Sequence, residues 1–238
     1  MSVIDVRSRS QLQEQLVSLY LRLNGFFVTG FIVHSPLHGQ NRAELDALAL
    51  RLPYNCEPER QIGPDPMLEL SEKYTDLAVC EVKSKGQQLQ FNQSLVQQST
   101  AAATILRWAG LFRESEVIPL ADSLAQALAP SNPAARPNAP TVLGPQDVRI
   151  RGLLFSPERD SRRPNQPWFI SGPQLFDYIW RCLCPANPRQ CCATTYDFQL
   201  WGDHEAIARY FKSRGPEGPG DISALYAYVE QMSGGEHR

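Results

Sequence analysis

Residues 76–83 read Asp–Leu–Ala–Val–Cys–Glu–Val–Lys, an apolar run that carries charge only at its ends. Side chains alternate along a strand, so Leu77, Val79, Glu81 and Lys83 fall on one face and Ala78, Cys80 and Val82 on the other. Both faces stay apolar until the last residues, the composition of a central strand covered on both sides. Charge in such a place needs a partner or a metal, so Glu81 and Lys83 call for a chemical explanation.

The run Ala43–Glu–Leu–Asp46–Ala–Leu–Ala–Leu50 supplies one. Read as a strand, it places Asp46, Leu48, Leu50 and Leu52 on one face, with Asp46 near its start. If the two strands pair antiparallel, the start of the first lies beside the end of the second, and Asp46 meets Glu81 and Lys83 on one rim of the sheet. Asp46, Glu81 and the main-chain carbonyl of Val82 are hard oxygen donors of the kind Mg²⁺ (or Mn²⁺) prefers. A cation there would polarise a phosphoryl oxygen and lower the pKa of a water, the requirements of phosphodiester hydrolysis. Lys83 would orient or help deprotonate that water, or stabilise charge developing on the phosphate. Glu44 is a rival or supplementary ligand. The same residues also admit a plainer reading, in which Glu81 and Lys83 are exposed ends of an edge strand and Asp46 is a turn residue.

The order of elements narrows the choice. Leu12, Leu16, Leu19, Tyr20 and Leu23 recur at helical spacing and predict an amphipathic first helix, ended by Asn24–Gly25. Residues 26–33 predict a strand, followed by the Asp46 strand and the Glu81 strand. Residues from about 92 to 112 predict one long helix, and residues 148–155 a further strand. With its Asp and Glu-x-Lys residues, this order resembles the PD-(D/E)XK nuclease superfamily over roughly the first half to two thirds of the chain. The resemblance implies an α/β restriction-endonuclease-like αβββαβ core, with a mixed central sheet flanked by helices. It also implies a Mg²⁺-dependent nuclease in which Asp46 and Glu81 hold the metal and Lys83 acts on the water. Many members place a Glu on the first helix, here Glu14, and a Gln on the helix after Glu-x-Lys, here Gln93 or Gln97. Two departures stand out: Leu45 occupies the position of the superfamily's Pro, and residues 53–75 form a long, proline-bearing insertion. Loop-closure entropy tolerates such an insertion at modest cost.

The rest of the chain bounds the partners. Net charge is −2 with a pI near 6.1, so phosphate contacts must come from local patches. Arg149 and Arg151 on one strand face, and Arg159, Arg162 and Arg163 in a loop, are the candidates, with a solvated loop as the alternative. No stretch is long and apolar enough for a bilayer and no signal-peptide core is present, which makes the cytoplasm the expectation. Cys182, Cys184, Cys191 and Cys192 cluster, but Cys-x-Cys and Cys-Cys spacings are awkward for one Zn²⁺, so buried thiols are the expectation over a structural zinc site. His204 could replace a ligand, yet reads as a helix start after Asp203. Residues 129–146 are too proline-rich for a helix or strand interior and read as an exposed loop. The expected organisation is a nuclease-like core over 1–156 and an α-rich, aromatic extension over 157–238, either packed on the core or binding a partner. Two functions follow: a nuclease cutting DNA, or less readily RNA, in restriction, repair or antiviral defence; or a non-catalytic protein on the same fold that binds nucleic acid, a protein partner or a second copy of the chain.

Overall fold

The computed structural model describes residues 6–34, 41–57, 61–97, 99–129, 138–163, 166–185 and 198–235. Among these, six strands form one mixed sheet, and helices pack on its two faces. The first helix, α1 (Val6–Leu23), is followed by an antiparallel meander of β1 (Phe27–His34), β2 (Asn41–Arg51) and β3 (Thr75–Val82). Three helices then cross over, α2 (Gln93–Gln97), α3 (Ser99–Ala109) and α4 (Glu114–Leu128), and the chain returns through β4 (Thr141–Leu143) to β5 (Val148–Ser156). β5 runs parallel to β3, and the sheet order is β1-β2-β3-β5-β4. The short β6 (Ile170–Ser171) pairs with the far end of β5 and leads into α5 (Gly172–Leu183), with α6 (Glu205–Arg214) and α7 (Ile222–Gly235) beyond.

The alternation expected of β3 is what divides the core. Ala78 and Cys80 join α1, α5, α6 and α7 in one apolar cluster, while Leu77 and Val79 join α2, α3 and α4 in the other. Leu12, Leu16, Leu19 and Tyr20 form the buried stripe of α1. Trp168, Phe176, Tyr178, Tyr210 and Phe211 lie in the α1-side cluster, so these aromatic residues pack on the side of the sheet that α1 covers. Full burial of each such ring contributes roughly 1.5–3 kcal/mol.

Several expectations need correction. The helix expected over about 92–112 is found as α2 and α3 on either side of residue 98, which lies outside the described residues, whereas α4 follows in a segment for which no element was expected. The proline-rich stretch holds the three-residue strand β4, placed on the open side of β5 where a short strand suffices. Arg149 and Arg151 do not form a phosphate patch. Arg149 Nε donates to Asp76 Oδ1 at 2.6 Å, and Asp76 is fully buried; the buried Arg151 donates to the Leu68 carbonyl. The insertion between β2 and β3 does not simply loop out. Its Leu68 is buried, and Asp65 caps a 3₁₀ turn through Met67 N–H at 2.9 Å while accepting from Tyr20 Oη at 2.8 Å.

Candidate active site

Asp46 owes its position to a bulge. β1 and β2 pair at Thr29↔Leu48 and again at Phe31↔Leu45, so Gly30 alone faces the two residues Asp46 and Ala47. An extra residue of this kind bends a strand and re-aims a side chain. The simple alternation expected for β2 fails here, since Leu45 and Leu48 both enter the α3-side cluster. Asp46 is also not near the start of β2, which begins at Asn41; it stands where pairing with β3 stops, one residue before Ala47↔Cys80. Its carboxylate continues the ladder, with Oδ2 accepting from Val82 N–H at 2.6 Å.

Glu81 is directly across this junction and is 2% exposed. Its Oε2 accepts from the Lys83 ammonium, while Oε1 is buried with no hydrogen-bond partner among the described residues. Burial pushes the carboxyl up from 4.5 to about 7; Lys83 opposes the rise, nearby Asp46 reinforces it, and the Asn92 backbone opposes it weakly. Lys83 sits just past β3, its N–H donating to Phe155 O at 2.8 Å and its carbonyl accepting from Ser156 Oγ at 2.6 Å. An extended residue points its N–H and C=O to the same side, so the Val82 carbonyl faces the Asp46 side of β3. The structure therefore brings Asp46, Glu81, Lys83 and the Val82 main chain together at one rim.

Glu14 reaches the same neighbourhood from α1. It accepts from Ser10 Oγ at 3.2 Å, and with Asp46, Asp203 and His204 it lines a cleft of about 400 Å³ between α1, β1 and the 198–204 turn. Gln93 and Gln97 are exposed on α2, and no hydrogen bond among the described residues joins Gln97 to Asp46, Glu81 or Lys83. The Glu44 side chain lies outside the described residues, as do Cys191 and Cys192 of the cysteine cluster. Cys182 and Cys184 are half-buried, and the Cys184 thiol donates to Phe211 O at 3.2 Å.

One participant, Gln13, was not singled out from the sequence, and His204 was singled out only as a helix start or spare zinc ligand. Gln13 is buried on α1 and its amide donates to Ser84 Oγ at 3.2 Å and Tyr226 Oη at 2.9 Å, tying the segment after Lys83 to α7. Its signal was available, since an amide inside the Leu12–Leu16–Tyr20 stripe must find buried partners. His204 borders the Asp46 cleft as well as starting α6, and burial, reinforced by Arg22, holds its pKa below the ordinary value. Nothing in the spacing of residues 203–204 places them beside α1.

Among the described residues, no group of three or more His, Cys, Asp or Glu side chains is placed to hold one metal ion. A cation at the rim would rest on two carboxylates and main-chain oxygen. The orphaned, buried Glu81 Oε1 beside a second carboxylate suits such a cation, because a buried acceptor without a donor is costly and a hard cation satisfies it. No helix of the described residues is long and apolar enough to cross a membrane. No family model, curated protein or solved structure matches the chain.

Proposed function

We propose that this protein is a metal-dependent nuclease of the restriction-endonuclease-like type, hydrolysing phosphodiester bonds at the Asp46–Glu81–Lys83 rim. The observation that carries this reading is the buried Glu81 carboxyl, next to Asp46, with one oxygen unpartnered and the other against Lys83. Glu81 is held at its position by β3, and Asp46 by the bulge and its bond to Val82 N–H. Asp46, Glu81 and the Val82 carbonyl would hold a divalent cation, which would supply Lewis-acid polarisation of the phosphoryl oxygen and acidify water. The element order, helix, three strands, helices and a strand parallel to β3, supports the same reading.

Lys83 carries a positive charge to the point where negative charge develops on the phosphate, and its backbone is fixed on both sides by β5. A fixed, preorganised cation of this kind stabilises the transition state without reorganising. Glu14, facing Asp46 across the cleft, would position water or a further cation. Gln97, at the exposed end of α2, would act only through a substrate large enough to reach it.

The test is a divalent-metal titration of the wild type against Asp46→Asn, followed by incubation with DNA and RNA. Mg²⁺ or Mn²⁺ should raise the melting temperature of the wild type alone and support cleavage that Glu81→Ala and Lys83→Ala abolish. Cleavage that survives both substitutions would place the chemistry elsewhere. No metal effect together with stoichiometric capture of a partner would favour the non-catalytic reading.

A further inference from the structure

The sheet has two edges, and the chain treats them differently. β4, at one end, has three residues, and a strand that short offers a second chain little to pair with. β1, at the other, runs for eight residues, Phe–Val–Thr–Gly–Phe–Ile–Val–His, without Pro, Lys, Arg, Asp or Glu. Among the described residues no strand pairs with it other than β2. About half of its N–H and C=O groups therefore point away from the sheet. Its two register irregularities do not blunt this edge. At Thr29/Phe31 and at Val33/His34 the extra residue belongs to β2, so β1 keeps an unbroken alternation.

That alternation puts Phe27, Thr29 and Phe31 on the α3 face of the sheet. Phe31 packs partly on the α3-side cluster and meets Trp108, in the last turn of α3, with ring centroids 4.9 Å apart. Trp108 is nevertheless 55% exposed and Phe27 66%. Aromatic rings left open beside an unpaired edge are the composition of an interface.

The edge fits itself. Antiparallel pairing of β1 with a second β1 about a two-fold axis at Thr29 sets Phe27 across from the partner's Phe31, beside the partner's Trp108, and Val28 across from the partner's Gly30. Each cross-strand aromatic pair then forms twice. With no charge on β1, two copies meet there without like-charge repulsion. Phe27 and Trp108 together expose roughly 200–300 Å² per copy, taking about 150–250 Å² for a whole ring. The strand adds a strip about 26 Å long, which brings the contact close to the ~600 Å² per copy of the smaller specific interfaces.

We infer that two copies of this chain associate through β1, extending the sheet across the dimer. Thr29 and Gly30 also line the cleft that holds Asp46, so each copy's cleft is bordered by the other's strand. Neither the edge nor its rings depend on the nuclease reading.

The experiment is sedimentation velocity of the full chain over a concentration series, with amide hydrogen exchange of β1 in parallel. Wild type should pass from the 26.7 kDa monomer toward twice that mass as concentration rises, and β1 amides should gain protection in step. Phe27→Lys combined with Trp108→Lys should raise the Kd at least about tenfold. Thr29→Lys, at an exposed position that leaves both rings in place, should weaken the dimer as well. Leu143→Lys, exposed on β4, should dimerise as wild type does. Far-UV circular dichroism of each variant at monomeric dilution should match wild type, which separates lost association from lost folding. A monomer at every concentration would overturn the inference, as would a dimer that both β1 variants leave intact or that Leu143→Lys disrupts. Equal protection of the β1 amides at all concentrations would do the same, because the edge would then be covered within one copy.

Discussion

Glu81→Gln separates the chemistry of the site from its folding. Folding raises the Glu81 carboxyl from 4.5 to about 7 because burial penalises the charged form more than Lys83 favours it. A carboxyl raised in this way holds more protons in the native state than in the unfolded chain between those two values, so stability falls as pH rises through that window. Relative to strongly acid pH, the raised Glu81 carboxyl costs the fold about 3 kcal/mol at pH 8 and about 1 kcal/mol at pH 5, taking ~1.4 kcal/mol per pH unit between the two values. Gln keeps the shape and cannot ionise, so the stability of Glu81→Gln relative to wild type should improve by about 2 kcal/mol between pH 5 and pH 8. Urea unfolding at the two pH values reads this directly, and the melting temperatures should shift in concert by about 5 °C. A stability difference that is the same at pH 5 and pH 8 would refute the reasoning, because the carboxyl would then carry no folding-linked proton. Mg²⁺ should shrink the same difference at pH 8 by satisfying the ionised form.

Other perturbations test the scaffold. Asp46→Asn keeps an acceptor for Val82 N–H and should leave the metal-free melting temperature within a few degrees of wild type while removing the metal-induced rise. Asp76→Ala strands Arg149, which is only 11% exposed, and should destabilise by about 3–5 kcal/mol in urea unfolding. Gly152→Ala sets a Cβ against Leu128 and 2.7 Å from Phe91 Cζ, so a loss of about 1–3 kcal/mol is expected from overpacking. Tyr226→Phe removes a hydroxyl that joins Gln13 to Glu158 and should cost about 1–3 kcal/mol.

The strands β1, β2, β3 and β5 were legible because each carries its own periodicity. β3 declares two apolar faces and a charged end, and an antiparallel hairpin then fixes which Asp stands opposite Glu81. The helices after β3 were legible only in part. The apolar residues of 93–109 keep helical spacing, and helix is found there on both sides of residue 98, but α4 was not expected. α4 begins where the Glu116 carboxylate accepts from Arg113 N–H at 2.8 Å, a capping contact that a scan for Ser, Thr or Asp caps passes over. The arginines of β5 misled for a clear reason. Alternation puts residues 149 and 151 on one face, but whether that face meets solvent depends on the insertion before β3, whose Leu68 and Glu69 carbonyls take up both guanidinium groups.

The same distinction explains what was hidden at the site. Asp46, Glu81 and Lys83 converge through one hairpin register, a local relation that a sequence can display. Gln13, Glu158 and Tyr226 converge through tertiary packing across 213 residues of sequence separation, which no periodicity records. Their effect is nevertheless local. Gln13 holds the Ser84 hydroxyl, Glu158 holds the Lys85 N–H, and β5 holds the backbone of Lys83, so the ammonium has little freedom beyond its own side chain. A cation held this closely beside a buried carboxylate lowers the cost of ionising Glu81 at neutral pH, and that cost is what a divalent metal would remove. The C-terminal helix thereby bears on the charge state of a residue at the end of β3, and truncating α7 should raise the pH at which Glu81 ionises, readable as a shift in its ¹³C carboxyl resonance.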